Sequence, residues 1–209
     1  SWQVTQYWLQ HADVVVTFWP RHEAIWKSLC DKNTRIEGVP LGVGTFWQPT
    51  ESQGKFAGTP SVFTAENCYF IKRPLDLFIA WGWVVQNGLY EAKLHAVNVP
   101  NDQNRFWFPL VNRNGSGYHS FIANRSFNHE ELRNAFVSTD FYANLVRYGD
   151  YNYVGLQASA CGAKVISYKN NPYADYWVEF GDQRILANQL LAILKNEVEP
   201  RHDKVQPST

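Results

Sequence analysis

Short apolar runs alternate along this chain with stretches whose apolar residues recur every three or four positions, the rhythm of strands alternating with amphipathic helices. Residues 2–10 read as a short helix and Ala12-Asp13-Val14-Val15-Val16 as a buried strand. A second helix opens with Pro20 in its first turn, where a missing N–H is harmless, and runs to about Cys30. Ile36 to Pro40 is a short strand ending in the loop Leu41-Gly42-Val43-Gly44. Residues 48–60, rich in Gln, Pro, Thr, Ser and Gly, form a connector.

Beyond the connector the alternation becomes regular. Ser61 to Ala65 is a strand, and Pro74 to Gln86 a helix with Leu75, Phe78, Ile79 and Val85 on its apolar side, stopped by Asn87-Gly88. Ala92 to Val97 is a strand. Residues 98–117 are irregular, with an apolar interruption at Phe106-Trp107-Phe108, and Tyr118 to Ile122 is a strand. Asn128-His129-Glu130-Glu131 has the spacing of a capping box and opens a helix toward Val137. Asp140 to Leu145 is a strand. Then come a polar loop around Tyr148–Val154, a short helix of small residues, and the strand Lys164 to Tyr168. Gly181-Asp182-Gln183 leads into a last helix, about 184–196. A polar tail from Glu197 is expected to be loose.

Strands and helices alternating at this period predict an α/β fold, a Rossmann-like parallel sheet with helices on both faces. Ligands of such sheets sit at the carboxyl ends of the strands. The polar loops at 65–72, 123–128, 148–154 and 168–173 are therefore expected to converge on one edge.

Composition narrows the function. The chain has 209 residues, enough for one large domain or two small ones, and 45% of them are apolar, enough for a real core. Aromatics make up 16%, with nine Trp, to be read either as core packing or as a partly exposed stacking surface for a base or sugar. Nineteen basic residues balance nineteen acidic ones, which argues against a nucleic-acid partner. No stretch approaches the roughly 18 apolar residues of a membrane span. The expected location is cytoplasmic, with a peripheral position at a membrane compatible with it. Cys30, Cys68 and Cys161 are scattered and read as reduced structural thiols.

The run Tyr148-Gly149-Asp150-Tyr151-Asn152-Tyr153-Val154-Gly155-Leu156-Gln157 continues through Ala158-Ser159-Ala160-Cys161-Gly162 into a β-branched strand. It sets a helix N-terminus beside a sheet edge, where unpaired N–H groups and the helix dipole favour an anion. With ADVVVTFWPRHEAIWKSL, VPLGVGTFWQP, FTAENCYFIKRPLDLFIAW and FIANRSFNHEEL, in that order, the run resembles the C-terminal, nucleotide-sugar-binding domain of the group 1, or family 4, GT-B glycosyltransferases. The resemblance covers residues from about 12 to 194. Its most specific part is the spacing of small residues ahead of Cys161-Gly162.

The resemblance implies a transferase of the hexosyltransferase type that moves a sugar from a nucleotide-diphosphate sugar to a saccharide or other acceptor. It would retain anomeric configuration and use no metal, and no cofactor is expected beyond the donor substrate itself. The residues it points to are distributed over the whole edge. Gly42 lies in the family's Pro-Asn-Gly-Val-Asp turn. Glu66 stands at the family's Arg position. Lys72 and Arg73 lie just ahead of a helix opened by Pro74, where positive charge opposes the dipole unless an anion is bound; otherwise they are a solvated pair. Ala123 and Asn124 occupy the base-cradling turn, or form a plain β-turn before a capped helix. Asn152, Tyr153 and Val154 open the next helix. Of the family's two glutamates, the second falls on Gln157, which would hold the ribose, and the first on Gly149. Asp150 would then take over the sugar, unless it is a simple loop acid or cap. Asp150, Lys72 and Arg73 are the expected catalytic residues.

No Asp-x-Asp pair, no Walker loop and no complete Gly-x-Gly-x-x-Gly is present, and the six His lack ligand spacing, so no metal site is expected. The organisation expected is a remnant of an acceptor-side domain at 1–35, the donor-binding domain at 36–196, and the tail at 197–209. A remnant would leave apolar faces near Val14–Trp19, covered by self-association, by a partner that supplies the acceptor domain, or by Trp2, Trp8 and Trp26 folding over them. Two other readings stay open: a catalytically degenerate nucleotide- or sugar-binding or interaction module on the same fold, and a sugar-nucleotide epimerase or phosphorylase.

Overall fold

The computed structural model describes residues 2–17, 22–39, 42–50, 60–65, 74–97, 119–122, 126–146, 153–169 and 171–204, with backbone alone for Pro74 and 119–122. Pro20 and the 106–108 interruption lie outside these residues. The chain divides into two compact units, one within residues 1–44 and one within 45–206.

The first unit contains α1 (Trp2–His11), β1 (Val14–Thr17), α2 (His22–Leu29) and β2 (Arg35–Gly38). The two strands are parallel, in register from Val14↔Arg35 to Thr17↔Gly38. Trp2 and Trp8 are 59% and 65% exposed, and Val14 and Val16 also face solvent. The expectation that Trp2 and Trp8 fold over the strand is therefore corrected. Val4, Tyr7, Trp8 and His11 recur at helical spacing and form a side of their own, with Tyr7 stacked on His11 at 4.2 Å and edge-on to Trp8 at 5.9 Å. Leu9 is the residue that α1 buries.

The second unit is built on β3 (Ser61–Thr64), β4 (Lys93–Ala96), β5 (His119–Ile122), β6 (Phe141–Asn144), β7 (Lys164–Tyr168) and β8 (Tyr176–Val178). Its helices are α3 (Pro74–Gln86), α4 (His129–Ser138), α5 (Tyr153–Ala160) and α6 (Gln183–Leu194). The strands form one sheet in the order β5-β4-β3-β6-β7-β8, every neighbour parallel. Strand β8 escapes the sequence pattern because it has three residues and its middle one, Trp177, is 37% exposed.

Alternate residues of the central strands explain the layering. Val62, Phe141, Ala143 and Ile166 belong to one core with Leu77, Phe78 and Trp81 of α3 and Leu186, Leu190 and Ile193 of α6. Phe63 and Tyr142, the residues in between, meet Phe136 of α4 at 5.8 and 5.2 Å between ring centroids. Both sheet faces are thus covered. The aromatic residues of this unit described here mostly serve packing.

The sheet's centre is fixed at its amino edge. Ser61 donates through its backbone N and its hydroxyl to Asp140 Oδ2, at 2.9 and 3.0 Å, and Asp140 N donates back to Ser61 Oγ at 3.0 Å. Thr139 Oγ1 adds a bond to Ser61 O at 3.1 Å. Loop chemistry read from the sequence also appears. Gly88 and Gly181 adopt φ of 105° and 122°, a region open to glycine. Asp182 accepts from the N–H groups of Arg184 and Ile185, capping α6. Residues 197–204, polar enough to suggest a loose tail, turn back onto the segment after β7: Arg201 N donates to Asp175 O at 2.8 Å.

The capping box at α4 is complete, with Glu131 N donating to Asn128 Oδ1 and Asn128 N to Glu131 Oε2, both at 2.9 Å. Asn128→Ala is expected to lower unfolding free energy by about 1 kcal/mol. Urea unfolding measures this, and a change within error would show that the box contributes nothing.

Candidate functional site

The chain order reverses between β3 and β6: from β3 the sheet grows outward through β4 and β5, and from β6 through β7 and β8. In open parallel sheets such a switch point is where ligands bind, in the crevice outside the carboxyl ends of the two central strands. Thr64 and Asn144, the last residues of β3 and β6, stand at those ends and are 2% and 0% exposed.

Helix α5 begins just beyond β6. Its first turn carries no acidic side chain, so nothing of that kind opposes the attraction of a helix N-terminus for an anion. Two buried side-chain amides converge beneath it. A Cβ on Gly155 would lie 2.7 Å from Asn144 Nδ2 and 3.5 Å from Asn171 Nδ2, so a glycine is what lets these amides approach the helix. Asn171, 6% exposed, follows β7. Its Oδ1 accepts from Tyr173 N at 3.0 Å, while its Nδ2 has no hydrogen-bond partner among the described residues.

Of the residues singled out by sequence, Tyr153, Val154 and Gln157 lie on α5, at its first turn and in its middle. Tyr153 is 41% exposed and Gln157 only 7%. Gly42 belongs to the first unit, where it makes an isolated bridge and is exposed. Glu66, Lys72, Arg73, Ala123, Asn124, Asp150 and Asn152 lie outside the described residues, as do Cys68 and Gly149. The loops that carry them leave β3, β5 and β6 or enter α3 and α5.

Residues that the sequence reading passed over hold this edge together. Asp76, in the first turn of α3 and 3% exposed, accepts from Tyr168 Oη at the end of β7 (3.1 Å) and from Gln183 Nε2 at the start of α6 (3.2 Å). It ties three elements together. Its only sequence signal is an acid in the first turn after Pro74, indistinguishable from a dipole-compensating residue. Asn144 and Asn171 give no signal either, since an Asn after a strand is ordinary turn chemistry.

Cys161, in the motif that sets the register, is buried, and burial pushes its thiol from 9.0 up to about 11, with Arg133 pulling weakly the other way. A thiol so protonated is no nucleophile at neutral pH. The folded protein keeps a proton that the unfolded chain loses near pH 9, so this group's contribution to stability is whole below pH 9 and is lost as pH rises toward 11. Native protein at pH 7.5, within the roughly neutral range where free thiols react, is expected to leave Cys161 unlabelled by iodoacetamide until denaturant is added. Rapid native labelling, read by peptide mass, would contradict the burial.

The sequence matches no protein-family model and no curated protein sequence. Solved structures do match. Sucrose-phosphate synthase from Thermosynechococcus elongatus superposes with a TM-score of 0.72 at 20% identity, over 93% of this chain and 52% of that one. HepE from Anabaena, in complex with UDP and glucose, gives 0.67 at 12% identity, over 93% and 57%. The C-terminal domain of a group 1 family glycosyl transferase from Francisella tularensis gives 0.59 at 16%, over 75% and 89%. The chain spans about half the length of the first two. The neighbours are GT-B glycosyltransferases, and the resemblance read from the sequence is borne out in the fold: an all-parallel, Rossmann-like α/β sheet of the GT-B kind.

Proposed function

We propose that this chain supplies the donor site of a glycosyltransferase and binds a nucleotide-diphosphate sugar at the β3/β6 switch point. The observation that carries the reading is the strand order β5-β4-β3-β6-β7-β8, with the N-terminus of α5, free of acidic side chains, at the carboxyl end of β6. That arrangement concentrates N–H donors where a diphosphate would lie. Structures that share the fold are described in complexes with UDP and glucose or GlcNAc, which supports this ligand class.

In this reading the bond between the anomeric carbon and the diphosphate oxygen breaks while an acceptor hydroxyl oxygen bonds to the same carbon. The hydroxyl proton goes to the departing diphosphate. Charge grows on the leaving group, so fixed cations and dipoles accelerate the step by stabilising what forms rather than what is bound. Lys72 and Arg73 supply the cations and α5 the dipole. The backbone at Ala123 and Asn124 holds the base, Gln157 the ribose, and Asp150 the sugar, with Asn152, Tyr153 and Val154 at the helix start; the resemblance adds Glu66 and Gly42 to the candidates for donor binding. Retention of configuration without a metal belongs to the same reading. The acceptor, a saccharide or another hydroxyl compound, is met by a further domain, by a partner, or by a second copy through residues 1–35.

Calorimetry with UDP tests the assignment. The double variant Lys72→Ala, Arg73→Ala is expected to lose at least about tenfold in affinity, since each cation makes a charge-assisted contact. Equal affinity in both proteins would remove these residues from the site.

A second reading, a nucleotide-binding module without catalysis, is favoured by one specific pair of residues. Gln157 is neutral and nearly buried, and Gly149 has no side chain where the resemblance puts an acid. Gly149→Glu decides between them. If the parent does not turn over UDP-glucose and the variant does, the parent is a binder; turnover by the parent establishes the transferase.

A further inference from the structure

The segment after β7 is held from outside the sheet by the stretch that follows α6, and the contacts are unusually dense for polar chain. Arg201 N donates to Asp175 O at 2.8 Å. Its Nη1 donates to two more carbonyls of the same segment, Asn171 O at 3.3 Å and Ala174 O at 3.2 Å. Its guanidinium lies flat against Trp177, 3.4 Å from the ring centroid. Trp177 Nε1 in turn donates to Asn171 O at 2.8 Å. Three residues on, Lys204 Nζ reaches Asp175 Oδ1 at 2.6 Å, and the other oxygen of that carboxylate accepts from Val165 N, in β7, at 2.8 Å.

Burial shows that these are not solvent-facing ion pairs. The Arg201 side chain is 15% exposed, that of Lys204 20% and that of Asp175 8%. A guanidinium fits this place because its planar fork can serve two carbonyls while its face rests on an indole, which an ammonium cannot do. Asp203, accepting from Arg201 Nε at 3.0 Å, is held below the usual carboxylate range by that bond and keeps the guanidinium oriented from the solvent side.

The point at which these contacts converge is Asn171. Its carbonyl takes two of them, its Oδ1 closes a turn with Tyr173 N, and its Nδ2 is left facing α5 at Gly155. Freedom in this segment would be freedom in the floor beneath the first turn of α5.

We infer that residues 199–204 are a strap, and that Arg201 is a positioning residue which fixes Asn171 and, through it, the first turn of α5. The inference rests on the reading of that turn as the diphosphate site, and its role is to hold the helix N-terminus in one place so that binding does not have to order it. Ordering at the moment of binding subtracts from affinity, so a loosened strap weakens the ligand without touching it.

The test uses the full chain with Arg201→Ala, Arg201→Lys and, as a comparison, Arg184→Ala, which removes another arginine lying over a tryptophan, Trp83, at 5.1 Å. Amide hydrogen exchange without ligand and calorimetry with UDP are both measured. Arg201→Ala is expected to speed exchange across 171–177 and in α5, and to weaken UDP about tenfold. Arg201→Lys, which keeps the charge and guards against loss of folding, is expected to share both defects, and Arg184→Ala neither. Exchange that rises only within 197–204, full rescue by lysine, or wild-type UDP affinity in a variant whose 171–177 segment has loosened would each overturn the strap. Failure of the wild-type protein to bind UDP would instead overturn the donor-site reading, and the exchange pattern would still decide whether the strap holds α5.

Discussion

The structure of the second unit depends on one parallel pairing, that of β3 with β6. Among the described residues the two halves of the sheet meet there, and the ladder is short: Val62 opposite Phe141 and Phe63 opposite Tyr142. Side chains extend it. Asp140 receives two bonds from Ser61 and returns one, and Thr139 adds another, so the amino ends of both strands are fixed before the ladder begins. A slip of one residue would break these bonds and also exchange Val62 for Phe63 between faces, sending a phenyl ring into the α3/α6 core. Register at the amino edge thereby sets the geometry of the crevice at the carboxyl edge.

That crevice is supported by polar groups taken out of water. Asp76, Asn144 and Asn171 are each at least nine-tenths buried. Burying such groups costs more than hydrophobic residues of the same size would, and the cost is met when their bonds bind separate elements together. Asp76 joins α3, β7 and α6. Asn144 and Asn171 sit beneath α5, and Gly155 gives them room. A rigid edge made this way suits recognition by backbone N–H groups, which work only if they are already in place.

The altered acid positions follow from the same register that makes the fold legible. By the resemblance, counting back from Cys161-Gly162 would put two glutamates of those glycosyltransferases at Gln157 and Gly149. Gln157 lies on α5 with 7% exposure. Binding and catalysis place different demands on these positions. A neutral amide can serve a ribose hydroxyl, whereas a glycine offers no side chain to orient the donor sugar.

The sequence by itself determined the alternation of strands and helices, the cap at Asn128, the stop at Gly88 and the entry to the last helix at Gly181-Asp182, and hence a parallel α/β sheet. These follow from local physics: period, propensity and the few residues that tolerate a left-handed turn or supply a cap. Where the resemblance pointed along α5, Tyr153, Val154 and Gln157 do lie on that helix. The tertiary structure alone decided the rest. Strand β8 is too short for a period to show. Asp76, Asn171 and Arg201 look in sequence like surface turn and tail residues; Asp76 is enclosed where α3, β7 and α6 meet, and the folding back of residues 197–204 onto the segment after β7 brings Arg201 against Asn171. The contacts concerned join positions 92, 107 and 30 residues apart, and no local pattern encodes a hydrogen bond across such distances.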